Sequence, residues 1–141
     1  MARIVFELDI EAPASDVVEA LDTEEGIAGW WTPSVTFPGG AGSILAPKFV
    51  AAPAPFELRV DEVSDRRVRR ASIGDFPPDR VGTEVTWTLT PSTGATRVHF
   101  SHDGWADDGG LFPSAALTWG LLMQSLKQYV ETGTGTPLPG A

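Results

Sequence analysis

The chain has 141 residues, of which 42% are hydrophobic and 21% charged, the size and composition of a single globular domain. Its 19 acidic and 10 basic residues give a formal net charge of −9, which argues against nucleic acid as a partner. With no cysteine and only two histidines, disulfides, thiolate metal sites and a cysteine nucleophile are excluded, and we expect neither metal nor cofactor. No stretch approaches the roughly 20 apolar residues of a membrane span, so we expect a cytoplasmic protein without membrane insertion.

The first part of the chain predicts one strand, two short helices and then a run of strands. Alternating apolar residues from Ile4 to Ile10 are typical of a half-buried strand. Pro13 is suited to open a short helix, and a second helix start at 22–25 ends near Gly29. Extended segments without intervening helices follow at residues 34–37, 43–49, 56–63, 67–73, 83–90 and 96–102.

The last predicted element is a long helix over residues 113–131, with apolar side chains along one stripe and Gly133 as its terminator. Consecutive short strands imply an antiparallel sheet, and only this helix is long enough to cover its face. The sequence therefore predicts an α+β fold in which a curved antiparallel sheet of about six or seven strands grips the C-terminal helix. We expect one domain over residues 1–132 and a flexible tail over 133–141.

Two features of the strands predict sheet edges. Pro47 lacks a backbone donor, which favours an edge position for the strand that contains it. The only basic cluster, at residues 66–70, carries arginines at positions that face both sides of a strand. We interpret it as a solvated edge that discourages aggregation, with binding of an acidic partner or a phosphate as the alternative.

Four stretches carry a resemblance to a known family. They are residues 10–31 with the Trp30-Trp31 pair, residues 81–87, residues 95–105 and residues 119–137. Together they resemble the START-like (SRPBCC) helix-grip superfamily, and within it the branch related to the C-terminal domain of the activator of the heat-shock chaperone ATPase. That superfamily includes ligand carriers, cyclases and co-chaperones, so the resemblance implies the fold without choosing one function.

Side chains that face inward from the strands and the helix stripe define a candidate cavity. We expect ligand-binding residues at Trp31, Phe56, Leu58, Trp87, Phe100, His102, Trp119, Leu122, Met123 and Leu126. The leading hypothesis is the binding of a small hydrophobic or amphipathic molecule without covalent chemistry. The alternative for the tryptophans is ordinary core packing, and we expect the adjacent Trp30 and Trp31 to point to different sides.

His102 is the one candidate for acid–base chemistry, because it lies on an inward-facing strand register and histidine titrates near neutral pH. The alternative is a structural histidine that bonds the backbone of the Asp103-Gly104 turn. Two other functions therefore stay open beside ligand binding. One is a cyclase- or hydratase-type enzyme using His102, and the other is a co-chaperone-like module that stimulates a heat-shock chaperone ATPase. The sequence is also compatible with a homodimer.

Overall fold

A computed structural model describes residues 2–140 of the chain. The order of elements in this part is β1 (Ala2–Ile10), α1 (Ala14–Asp22), α2 (Glu24–Trp30), β2 (Val35–Thr36), β3 (Ile44–Pro47), β4 (Glu57–Val63), β5 (Arg67–Ile73), β6 (Glu84–Ser92), β7 (Ala95–Trp105) and α3 (Phe112–Thr132). This order confirms the α+β class, the two short helices after the first strand and the long C-terminal helix. None of these helices is both long and apolar enough to cross a membrane.

The strands form one curved antiparallel sheet in the order β1-β7-β6-β5-β4-β3-β2. The first strand of the chain lies beside the last, with Phe6 opposite Phe100. The hairpin of β6 and β7 places Trp87 opposite Phe100 as well, so large aromatic side chains meet at the centre of the sheet. Helix α3 packs across this surface, where the Trp119 ring lies 4.7 Å from the Phe100 ring, centroid to centroid. The core is therefore dense beneath the middle of α3.

The two predictions about sheet edges are wrong. Strand β5 lies between β4 and β6, and Arg70 stands opposite both Val60 and Val85. Strand β3 is also internal, because the two-residue β2 covers it. The arginine cluster is divided between the two faces of β5. Arg69 pairs with Glu84 on the outer face, whereas Arg70 is fully buried on the inner face.

The segment after α3 returns to the body of the domain. Gly133 ends the helix with a φ of 87°, a left-handed conformation that favours glycine. The Thr136 N–H then donates to Ser125 Oγ over 2.8 Å, and the Leu138 N–H donates to the Trp31 carbonyl over 2.7 Å. The described part of the expected tail thus makes specific contacts. Its flexibility, and a domain limit at residue 132, stay predictions.

Candidate functional site

A cavity of about 580 Å³ lies between the first half of α3 and two loops, one including residues 49–53 and the other residues 76–80. Its wall is mainly apolar, and Leu138 and Pro139 of the C-terminal segment close part of it. The volume lies within the range of about 300–1,000 Å³ that is usual for small-molecule sites. The cavity is therefore large enough for a small organic molecule.

Only some of the predicted ligand-binding residues reach this cavity. Those on its wall are Trp31, Phe56, Trp119 and Leu122. Those outside it, all fully or almost fully buried, are Leu58, Trp87, Phe100, His102, Met123 and Leu126. The difference follows from packing: the Trp87 ring lies 5.4 Å from Phe100 and 6.0 Å from Trp119, centroid to centroid. Rings this close fill the space beneath the centre of α3, and the open volume is displaced toward the loops.

Sequence reasoning missed the part of the wall that the loops supply. These residues include Phe49, Val50, Pro53, Phe76, Pro77 and Arg80. Phe49 lies at the end of the predicted extended segment 43–49. The other positions lie in segments without a strand or helix period, where periodicity gives no information. One usable signal was the aromatic residues beside the prolines. Phe56 links the two loops, because its ring lies 5.2 Å from Phe49 and 5.6 Å from Phe76.

The two adjacent tryptophans both lie between the sheet and α3. Their rings stack 5.5 Å apart at 21°, so the prediction that they point to different sides is wrong. Trp30 donates its indole N–H to the Ala20 carbonyl in the core, whereas Trp31 lines the cavity. Both positions face inward because α2 ends here, with Trp30 beside Trp87 and Trp31 beside Trp119.

Among the residues that the structure describes, Arg80 is the one charged residue on the cavity wall, and its side chain is almost completely buried. Its guanidinium carbon lies 4.9 Å from the centre of the Phe56 ring and 5.6 Å from that of Trp119. The Nε and Nη2 atoms are buried without a hydrogen-bond partner, and Arg80 forms no ion pair within residues 2–140. Burial lowers the pKa of Arg80 to about 10, so the side chain stays charged at neutral pH.

His102 lies behind the wall and is held by two side chains. The Trp119 indole N–H donates to His102 Nδ1 over 2.9 Å, which requires that nitrogen to be unprotonated. The neutral ring then carries its proton on Nε2, which lies 2.7 Å from Thr83 Oγ1. Its partners are therefore Thr83 and Trp119, and the prediction of a bond to the backbone of the Asp103-Gly104 turn is wrong.

The hydrogen-bond network continues from His102 to the cavity. Thr83 Oγ1 accepts from the histidine and donates its own proton to the Arg80 carbonyl over 2.6 Å. Burial, with a smaller contribution from the positive charge of Arg80, lowers the pKa of His102 to about 2. The neutral histidine thus connects the Trp119 indole, through Thr83, with the backbone of Arg80.

The family model described as "Activator of Hsp90 ATPase homolog 1-like protein" matches residues 11–131. The chain belongs to this family. The Aha1 dimer of Colwellia psychrerythraea is similar, at 26% identity and a TM-score of 0.87, covering 96% of this chain and 100% of that chain. The resemblance to the START-like helix-grip superfamily is thereby confirmed. Among curated proteins, none matches this sequence significantly.

Two further structures support the fold of this family member. DynU16, from the dynemicin biosynthetic locus, is 24% identical with a TM-score of 0.75, and the match covers 94% of this chain but only 48% of that chain. CalU16 from Micromonospora echinospora is 15% identical with a TM-score of 0.72, covering 95% of this chain and 76% of that chain. Identities this low establish a common fold and nothing about ligands.

In this member of the Activator of Hsp90 ATPase homolog 1-like family, the cavity presents a concave apolar surface and one cationic side chain, that of Arg80, to a bound molecule. Ser114 and Thr118 also line the wall, and the Ser114 hydroxyl donates to the Leu111 carbonyl over 3.0 Å. Within residues 2–140, no group of three or more histidine, cysteine or acidic side chains is placed to hold a metal ion. The arrangement is chemically suited to hold a molecule that is mostly apolar and has a small polar end.

Proposed function

We propose that the protein binds a small hydrophobic or amphipathic molecule in this cavity, without covalent chemistry. The observation that carries the proposal is an apolar cavity of about 580 Å³ with aromatic walls. Phe49, Phe56 and Trp31 supply large rigid surfaces there, which bind apolar molecules with little loss of side-chain entropy. Met123, which we expected among the ligand-binding residues, lies in the core and not on the cavity wall.

The position of His102 gives less support to a cyclase- or hydratase-type enzyme. A general acid or base must come within hydrogen-bond reach of its substrate and have a pKa near the working pH. Both His102 nitrogens already have partners, the ring does not line the cavity, and its pKa is lowered to about 2. We infer that this histidine supports the wall rather than transferring a proton.

A second candidate function is a co-chaperone-like module that stimulates a heat-shock chaperone ATPase. One observation favours it besides family membership: Leu117 and Leu121 on α3 are 69% and 60% exposed. Residues four apart lie side by side on a helix, so the two leucines form a small apolar surface that water does not favour. The same surface suits a homodimer, and the similar Colwellia protein is described as a dimer.

The test of ligand binding uses N-phenyl-1-naphthylamine, a neutral dye that fluoresces in apolar surroundings. We expect saturable binding of one dye per chain, because the described cavity has room for a molecule of this size. In the Ala115→Trp variant, an indole added on the cavity wall should reduce dye affinity by at least about tenfold, since it fills the volume the dye needs.

Leu117→Trp is the matched control, because it places the same indole on the exposed side of the same helix. It should bind the dye as the unmodified protein does. Absence of saturable dye binding, or equal affinities of the two variants, would contradict the proposal. The co-chaperone alternative is measured separately, as stimulation of a purified heat-shock chaperone ATPase that a Leu117→Ser and Leu121→Ser double variant abolishes.

A further inference from the structure

The guanidinium of Arg80 is a buried cation for which the described part of the protein supplies no anion. The side chain is 5% exposed and lines the cavity, yet its Nε and Nη2 donors have no acceptor. Buried arginines are almost always paired, because an unpaired charge in apolar surroundings is costly. Among residues 2–140, the wall contains no aspartate or glutamate. No described residue of the wall therefore balances the charge of Arg80, and a ligand in the cavity can supply the counter-ion.

The guanidinium is also held in a fixed position before any ligand arrives. It lies over the rings of Phe56 and Trp119, which restricts its orientation. The Arg80 carbonyl accepts from both the backbone N–H and the hydroxyl of Thr83, over 3.0 and 2.6 Å. The Arg80 N–H donates to the Pro77 carbonyl over 3.0 Å. A preorganised donor loses little freedom on binding, which favours affinity.

We infer that the ligand of this cavity carries a single carboxylate, which pairs with Arg80, on an otherwise apolar body that contacts the aromatic wall. This inference rests on the proposed function and names its ligand class. A carboxylate matches the planar fork of a guanidinium with two parallel hydrogen bonds. Ser114 and Thr118, on the first turns of α3, are further polar residues on the same wall.

Charge balance favours a carboxylate over a phosphate. On the described part of the wall, Arg80 is the only cationic residue and supplies one positive charge. A phosphate monoester carries about −1.5 to −2 charges at neutral pH, so part of its charge would stay uncompensated in an apolar cavity. The formal net charge of −9 repels any anion at long range, and the attraction is therefore local. Because a buried pair is screened little by salt, affinity for the acid should change little with ionic strength.

The test compares acids with neutral molecules of the same shape as competitors of the neutral dye. One pair is dodecanoic acid and dodecanol, and the other is 2-naphthylacetic acid and 2-naphthylethanol. We expect the unmodified protein to bind at least one acid about 10–100-fold more tightly than its alcohol near neutral pH, the range of a charge-assisted hydrogen-bond pair. Dodecyl phosphate should bind more weakly than dodecanoic acid.

Variants at Arg80 assign the preference to this side chain. Arg80→Met keeps a similar length without charge and should reduce the preference for the acid to within about threefold, leaving alcohol affinity unchanged. Arg80→Lys keeps the charge but not the fork, and should give an intermediate preference. Arg66→Met is the control, because it removes the same charge from an exposed turn. Circular dichroism and thermal unfolding confirm that each variant is folded.

The outcomes separate the inference from the proposed function. If the dye binds but acids and alcohols compete equally, or if neither acid competes, the carboxylate inference is wrong while the cavity still binds apolar molecules. The inference is also wrong if Arg80→Met weakens acid and alcohol alike, or if the phosphate binds most tightly. If the unmodified protein does not bind the dye at all, the proposed function itself fails.

Discussion

Arg70 and Arg80 are both buried arginines beside aromatic rings, and their difference separates a structural charge from a binding group. Arg70 lies 5.1 Å from the Trp87 ring and 5.5 Å from the Phe37 ring, distances similar to those around Arg80. Burial lowers the pKa of each to about 10. Burial and aromatic contact therefore do not distinguish the two side chains.

Their acceptors distinguish them. Arg70 Nη2 donates to the Leu21 carbonyl at the end of α1, and the charge of Asp22 partly offsets the effect of burial on its pKa. Arg80 has neither an accepting carbonyl nor a nearby carboxylate that raises its pKa, and it lines the cavity. Both arginines leave two buried donors without a partner, Nε and Nη1 of Arg70 and Nε and Nη2 of Arg80. Unmatched donors alone therefore do not indicate a binding site; what sets Arg80 apart is that no described residue accepts from its guanidinium and that it lines the cavity.

The largest expected effect concerns Trp119, which lies at the boundary between the packed core and the cavity. Trp119→Ala should lower the free energy of unfolding by about 3–5 kcal/mol, because it removes a large buried ring that contacts Phe100 and donates to His102. Dye affinity should change as well, since the same ring lines the cavity. Denaturant unfolding and dye titration measure the two effects. Leu117→Ala, on the exposed side of α3, should stay within about 0.5 kcal/mol of the unmodified protein.

A loss of stability below about 1 kcal/mol for Trp119→Ala would indicate that the ring belongs to the cavity and not to the core. Loss of stability without any change in dye binding would assign it to the core alone. Either result would show that Trp119 belongs to only one of the two regions, the packed core or the cavity wall.

The next expected effect is a pH dependence that comes from His102. Its pKa is about 2 in the folded protein, whereas an unfolded histidine titrates near 6.5. Below about pH 6.5 the unfolded chain therefore gains a proton that the folded protein does not, and stability falls by up to about 1.4 kcal/mol per pH unit. Between about pH 7 and pH 4.5 the loss should reach about 2–3 kcal/mol.

His102→Gln isolates this contribution, because glutamine retains an acceptor and a donor but does not titrate. Every other ionisable side chain is the same in both proteins, so the difference between their stability-against-pH curves reports His102 alone. The charged group that faces this ring is Arg80, which acts in the same direction as burial. Parallel curves for the two proteins would show that the histidine is not buried as described.

The sequence contains enough information for the sheet and α3 because regular elements repeat with a fixed period. The same period could have located Arg70: Val68, Arg70 and Ser72 alternate along β5 and are all buried. The prediction of a solvated edge for residues 66–70 is wrong because it gave the arginine charges more weight than the alternation of side chains along the strand. Arg80 and Phe76 have no such signal, since they lie in a loop without periodicity. The cavity was therefore expected in the right layer but beneath the wrong part of the helix.

The same substitution at the two arginines should have opposite effects on stability. Arg70→Met leaves the buried Leu21 carbonyl without this donor and should lower the free energy of unfolding by about 1–3 kcal/mol. Arg80→Met removes a buried charge that lacks an acceptor and should raise it by about 1–2 kcal/mol in the absence of ligand.

Urea unfolding of both methionine variants, with Arg67→Met as an exposed reference, measures this comparison directly. Ligand binding should follow the reverse pattern: Arg70→Met keeps the preference for acids and Arg80→Met loses it. Equal destabilisation by the two substitutions would show that the Arg80 guanidinium is hydrogen-bonded to an acceptor when the protein is in solution. Arg80 would then be a structural charge like Arg70.

The smallest expected effect on stability comes from the C-terminal segment, which contacts the cavity region through Trp31 and Val50. A chain ending at Gly133 keeps the helix terminator. It loses the local bonds of Thr134 to Thr132 and three bonds to more distant residues, those of Thr136, Leu138 and Pro139. Each contributes about 0.5–1.5 kcal/mol, and this gain is largely offset by the entropy of ordering the segment. We therefore expect a change of about 1 kcal/mol or less in the free energy of unfolding.

Dye affinity should respond more clearly to the same truncation, falling by about three- to tenfold, because Leu138 and Pro139 leave the cavity wall and water reaches Trp31. A chain ending at Pro139 is the matched control, since it keeps both wall residues and all three hydrogen bonds. If the two truncated chains bind the dye equally, the segment is the flexible tail that the sequence predicts. If only the shorter chain binds weakly, the segment acts as a fixed part of the cavity wall. It then contributes to ligand binding, as Arg80 does, and not only to the fold, as Arg70 does.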